Sequence, residues 1–155
     1  MSTAIVETGP RFRAVPKGEG HASATFADLA PHHYIVLRTF RRNGEAVDTP
    51  VWFAIGASRL YVFTGKNSGK VKRIRNWPMV QVAPSTSIGH LHGPYRDVVA
   101  HILPADQRSI AQQLLRARYG WMIRGFERWW AWRGKDHVYL ELAPANDPTP
   151  EPAVP

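Results

Sequence analysis

The chain contains no cysteine. Disulfides, thiol catalysis and thiolate metal sites are therefore excluded. It has no apolar run of ~18 residues, so no segment reads as a membrane span. The opening stretch, MSTAIVETGPRFRAVPKGEG, lacks the positive-then-apolar pattern of a secretory signal. The last two absences predict a cytoplasmic protein; the lack of cysteine does not fix the compartment. Acidic residues are scarce, 12 against 20 Lys and Arg, which gives a formal net charge of +8. Such a chain attracts phosphates, whether on nucleic acid, anionic lipid or a phosphorylated cofactor. The few acids form no close pair of the kind glycosidases use. The residues GAS at 56–58 lack the second glycine of a nucleophile elbow. No HExxH-type spacing occurs, and His90 and His92 have no carboxylate nearby to complete a metal set. An enzyme built this way would take its chemistry from a cofactor.

What is present is enough for one domain: 155 residues, 44% of them hydrophobic. Residues 1–23 are rich in Gly, Pro and charge and read as a flexible arm. Residues 144–155, PANDPTPEPAVP, read as a proline-rich disordered tail. The folded body is expected over 24–143. FADLAPHHY suggests a short helix, and YIVLRTFR a strand. Asn43-Gly44 signals a hairpin into a return strand VDTPVWFAI, and RLYVFT follows as the third strand of a meander. KVKRIRN should be one or two helical turns, ended by Pro78. MVQVA, PYRDVVAHIL and HVYLELA supply further strands. Ile110, Ala111, Leu114 and Leu115 recur at helical spacing, with Gly120 as a C-cap. The pattern predicts a mainly β (α+β) domain, a small antiparallel barrel of six strands with helices at its ends.

The stretch TGKNSGKVKRIRNWP, Thr64 to Pro78, carries Lys66, Lys70, Lys72, Arg73 and Arg75 and no acid. It is not a nucleotide-binding P-loop. Gly65 and Gly69 enclose three residues rather than four, and Val71 stands where a magnesium-binding hydroxyl is needed. The chemistry of anion capture survives. A turn, a serine and a lysine sit where a short helix begins, its free amides and dipole favour an anion, and Lys70 and Arg73 share a face. The bland alternative is a solvated basic face. Trp121, Trp129, Trp130 and Trp132 cluster with Phe126 and Tyr119. They read either as core packing or a subunit contact, or as a stacking wall for a flat ring or for bases.

Several segments together resemble the pyridoxamine 5′-phosphate oxidase-like split β-barrel family. They are FADLAPHHYIVLRTFRRNGEAVDTPVWFAI, LYVFTGKNSGKVKRIRNWPMVQVAP, RARYGW and HVYLELAP. More narrowly, they look like its oxidoreductases that depend on the deazaflavin coenzyme F420. The resemblance implies a six-stranded antiparallel split barrel of the FMN-binding type. It also implies a homodimer with two cofactor sites at the interface. It places Thr49, Pro50, Val51 and Trp52 beside the flat ring. It matches Thr64, Ser68, Lys70 and Arg73, with Lys72, to the phosphate-binding turn. The implied activity is hydride transfer from reduced F420 to a small organic acceptor. Trp77 stands where relatives often have Arg-Asp before the proline, and the arginine-rich FMN phosphate motif is not found. FMN remains the alternative cofactor. A non-enzymatic flavin, deazaflavin or haem binder, the last using His90, His92 and His101, is the alternative function. A nucleic-acid module is disfavoured because no base-reading motif is present.

Overall fold

The computed structural model describes residues 26–56, 58–134 and 136–145. The arm expected over 1–23 lies outside them, as do residues 146–155 of the tail expected over 144–155; Pro144, expected to open that tail, instead ends the last strand. Seven strands form one antiparallel sheet: β1 (Tyr34–Phe40), β2 (Ala46–Trp52), β3 (Ala54–Gly56), β4 (Arg59–Gly65), β5 (Met79–Ser85), β6 (Arg96–Ile102) and β7 (His137–Pro144). Their hydrogen-bonded order is β2-β1-β5-β6-β7-β4-β3. The two ends of that order, β2 and β3, are neighbours in the chain with only Phe53 between them. The sheet therefore curls back on itself, and one bent segment closes it as a split barrel.

This bend corrects the expected strand count of six and the expected meander. The run VDTPVWFAI does not continue as one strand. Its first part pairs with β1, Ala46 opposite Phe40 through Trp52 opposite Tyr34. Its last part pairs with β4, Ala54 opposite Tyr61 through Gly56 opposite Arg59. Pro50 has no N–H to give to a ladder, which confines it to an edge strand such as β2. The hairpin between β1 and β2 turns where Asn43-Gly44 predicted. Gly44 takes φ 90°, a conformation open to glycine, and Asn43 Oδ1 accepts the Glu45 N–H at 2.9 Å.

Inside the barrel, Ile35, Leu37, Val62, Val82, Leu140 and Leu142 are fully buried. Phe26 and Leu29, around the 3-10 turn Ala27–Leu29 that replaces the expected short helix, belong to the same cluster. Helix α1 (Gly69–Asn76) buries Val71 and Ile74. Helix α2 (Ser109–Tyr119) ends at Gly120 (φ 61°), whose N–H bonds to Arg116 O. Helix α3 (Trp121–Trp132) follows at once and is the Trp-rich segment, for which spacing gave no element. A second cluster outside the barrel joins Ala111, Leu115 and Tyr119 of α2 and Ile123 of α3 to Tyr61 and Tyr139 of the sheet.

One contact holds α2 to the bend. The Tyr119 hydroxyl accepts the Phe53 N–H at 3.1 Å and Arg118 Nε–H at 3.2 Å. Its own proton faces two carbonyls, His33 O at 2.8 Å and Phe53 O at 2.9 Å. Burial pushes this hydroxyl's pKa up, so it stays protonated and able to donate. Tyr119→Phe strands the buried Phe53 N–H and is expected to cost about 2 kcal/mol. Urea unfolding read by far-UV circular dichroism checks this. An unchanged midpoint would show that the bend does not depend on the hydroxyl.

Candidate functional site

The bend, the end of β4 and the start of α1 meet α3 around a cleft of ≈ 340 Å³. One end is aromatic and apolar: Tyr34, Pro50, Val51, Trp52, Phe63, Phe126 and Trp130. The other end is polar: Thr64, Gly65, Ser68 and Lys70. Among the described residues, no carboxylate lines it. A second cleft of ≈ 380 Å³ is lined by Gly65, Asn67, Ser68, Trp130, Gly134 and Asp136. Gly65, Ser68 and Trp130 border both, so the Trp130 indole stands between the two spaces.

The sequence dictates the polar end through a turn. Ser68 N–H bonds to Gly65 O at 3.2 Å, and Lys66 N–H to Asp136 O at 3.0 Å, which ties the turn to the segment before β7. Ser68 is the N-cap of α1 in extended conformation (φ −70°, ψ 159°), yet its side chain makes no capping bond. Its Oγ is buried without a hydrogen-bond partner. A buried hydroxyl left unmade costs about 1–3 kcal/mol, and this one borders the cleft. Lys70 lies two residues on, half-buried, with no acid partner among the described residues. Burial first, and Arg73 second, pull its pKa down. Three features describe a place prepared for an anion: an unmet donor, an unmet cation and a helix N-terminus.

Of the residues expected to hold a cofactor, Pro50, Val51, Trp52, Thr64, Ser68 and Lys70 border this one cleft. Thr49, Lys72 and Arg73 do not. Thr49 sits in β2 opposite Leu37. Lys72 is exposed to solvent. Arg73 donates from Nε to the buried Thr39 Oγ1 at 2.7 Å. Its guanidinium lies over Gly69, where an added Cβ would stand 2.8 Å from Nη1. Arg73 thus braces the first turn of α1 against β1 from beside the cleft.

Sequence reasoning missed Tyr34, Phe63 and Gly65 as site residues and left Phe126 and Trp130 open between packing and a wall. Trp52 stacks on Tyr119 (4.9 Å, 16°) and meets Phe126 edge-on at 5.1 Å. Phe63 meets Trp130 at 6.1 Å. Two of the clustered aromatics therefore form a wall, whereas Trp121 and Trp132 remain about four-fifths exposed and pack in no core. Gly65 is required by that wall. A Cβ there would lie 2.6 Å from Trp130 Cη2 and 2.8 Å from Cζ3. Gly65→Ala is expected to displace the indole and cost about 1–2 kcal/mol. A lower unfolding midpoint with altered tryptophan emission checks it; no change in either contradicts the contact.

The histidines do not gather here. Among the described residues, none borders the cleft. His32 and His92 stack on each other at 5.5 Å, and His101 lies opposite Glu141 in the β6–β7 ladder. Among the described residues, no group of three or more His, Asp or Glu is placed to hold a metal ion.

Neither a family model nor a curated protein matches the chain. Solved structures do. A Listeria innocua protein named after pyridoxamine 5′-phosphate oxidase is 16% identical, with 78% of this chain and 90% of that one covered and a TM-score of 0.54. A FAD-binding protein of Mesorhizobium loti is 18% identical, with 86% and 91% covered and a TM-score of 0.55. The haem storage protein HutZ of Vibrio cholerae is 14% identical, with 77% and 86% covered and a TM-score of 0.59. At these identities the likeness defines the fold. The chain shares the fold of these three proteins, one named after pyridoxamine 5′-phosphate oxidase, one described as FAD-binding and one as a haem storage protein.

Proposed function

We propose that the cleft binds the phosphorylated deazaflavin F420 and that the protein is an oxidoreductase reducing a small organic acceptor. The observation that carries the reading is the pairing of an unmet Ser68 hydroxyl and an unmet Lys70 ammonium at the N-terminus of α1, at one end of an aromatic-walled cleft. A phosphorylated, ring-bearing cofactor has those two ends. FAD binding by a protein of the same fold supports the flavin-type ligand. The preference for F420 over FMN rests on the sequence resemblance and on the missing arginine-rich motif.

When bound in reduced form, the cofactor supplies a hydride equivalent. The chain's own residues bind and orient. Ser68 Oγ, Lys70 Nζ and the first amides of α1 would hold the phosphate, with Arg73 adding positive field from beside Thr39. Val51 and Trp52 would bound the ring plane, and Phe126 and Trp130 would exclude water. Among the described residues lining the cleft, only Tyr34 and Lys70 carry an ionisable side chain. A protonation step would therefore draw on one of these or on solvent, consistent with hydride chemistry that needs no acid–base pair. By the same resemblance the protein is a homodimer with its cofactor sites at the interface. Mixing the protein with reduced F420 and a panel of acceptors, followed by the return of oxidised-cofactor absorbance, tests the activity. Binding without turnover of any acceptor would make the protein a cofactor carrier.

A haem-binding reading has the V. cholerae protein in its favour. The absence of histidine from the cleft lining ranks it second.

A further inference from the structure

Helix α3 has three sectors when its residues are placed at about 100° each. Ile123, Glu127 and Trp130 face the protein. Glu127 is held there by Arg116 at 2.8 Å and by the Tyr139 hydroxyl at 2.8 Å. Arg124 and Arg128 form a second sector, both exposed. The third sector runs Trp121, Trp132, Gly125, Trp129, Met122, Phe126 in angular order, spanning roughly 140° of arc. Its large side chains all face outward: Trp121 is 80% exposed, Trp132 78%, Trp129 48%, Phe126 42% and Met122 39%. Scattered surface aromatics need no explanation, but a continuous arc of three tryptophans, a phenylalanine and a methionine does.

The charges beside the arc select its occupant. Arg124 and Arg128 have no acid partner among the described residues. Arg133 lies 5.1 Å over the Trp129 ring. Glu127, the one acid of the helix, is turned inward and spoken for. The outer surface of α3 is therefore aromatic and cationic only. A second copy docked symmetrically on this arc would bring arginine against arginine in a protein of net charge +8. An anionic bilayer surface meets both features: indoles settle at the headgroup level and arginines pair with lipid phosphates and carboxylates.

The geometry points to α3 as an interfacial helix that seats the protein on an anionic membrane surface. The helix lies in the surface and does not cross it; among the described residues none is long and apolar enough to span a bilayer. Phe126 belongs both to the arc and to the cleft lining, so the seated face adjoins the aromatic wall of the cleft. This inference does not depend on which cofactor the cleft holds.

The test uses the full chain and phosphatidylcholine vesicles with and without phosphatidylserine. Co-sedimentation is expected only with phosphatidylserine, with a blue shift of tryptophan emission, quenching by brominated acyl chains and weakening by salt. Arg124→Gln with Arg128→Gln should lose about thirty-fold in vesicle affinity. Trp121→Ser with Trp132→Ser should abolish sedimentation while circular dichroism and oligomeric state stay unchanged, because both side chains are mostly in solvent. Three results would overturn the proposal. One is no sedimentation with either vesicle. Another is sedimentation that persists in both double variants. The third is loss of a dimer, rather than of lipid binding, in the tryptophan variant, which would give the arc to a second copy of the chain.

Discussion

Lys70→Ala is expected to weaken cofactor binding about thirty-fold, because a half-buried charge-assisted contact to phosphate contributes about 2 kcal/mol. Lys66→Ala and Lys72→Ala should change it less than about twofold, as exposed charges act through a screened field. Arg73→Ala should fall between, since its Nε is already engaged by Thr39. Equal small effects at all four positions would reduce the loop to a solvated basic face. The same lysine gives the binding a pH limb. Burial holds its free-state pKa below the ordinary lysine range, and a bound anion favours the charged form. Binding therefore takes up a proton on the alkaline side. Affinity should fall as pH rises through the lowered Lys70 value, and the limb should flatten in Lys70→Ala. Isothermal titration across pH reads both.

Glu127→Ala should have the largest effect on stability, about 3 kcal/mol. Its carboxylate, only 11% exposed, accepts from Arg116 Nη2 and Nε and from the Tyr139 hydroxyl, and so fastens α3 to α2 and β7 at once. Removing it leaves the Tyr139 hydroxyl and Arg116 without their acceptor. Burial opposes ionisation of Glu127, but the hydrogen bonds from Arg116 and Tyr139 outweigh it and hold its pKa below the usual glutamate value. A group depressed on folding contributes stability that is present above its unfolded pKa and is lost as pH falls through the folded one. Wild-type stability should drop more steeply with acid than that of Glu127→Ala. Urea midpoints at neutral and acid pH check the sign; parallel pH profiles would show that the network is not what secures α3. Because Phe126 and Trp130 ride on α3, the variant should also bind cofactor less well.

The strands were legible where β-branched and aromatic residues run between turn residues. RLYVFT, MVQVA and HVYLELA lie within observed strands, and YIVLRTFR overruns β1 by Arg41 alone. The break at Phe53 was not legible, because no turn residue marks it within VWFAI and the bend comes from closing the sheet, a property of the whole order of strands. The polar end of the site could be read from local rules: a glycine turn, a serine and a lysine at a helix start. Its walls could not. Trp130 and Gly65 are 65 residues apart, and only the packing of α3 brings the indole onto the glycine. The tryptophans misled for a related reason. Apolar side chains occur on both the inner and outer sectors of α3, so spacing alone does not say which of them is buried.

A phosphate held at the Ser68–Lys70 end of the cleft should show in paired titrations: F420 against its phosphate-free deazaflavin chromophore, and FMN against riboflavin, each followed by ligand fluorescence. Saturable binding of F420 is expected, with the phosphorylated member of each pair the tighter by roughly ten- to hundredfold. Equal affinity within each pair, or no saturable binding of any of the four, would contradict it.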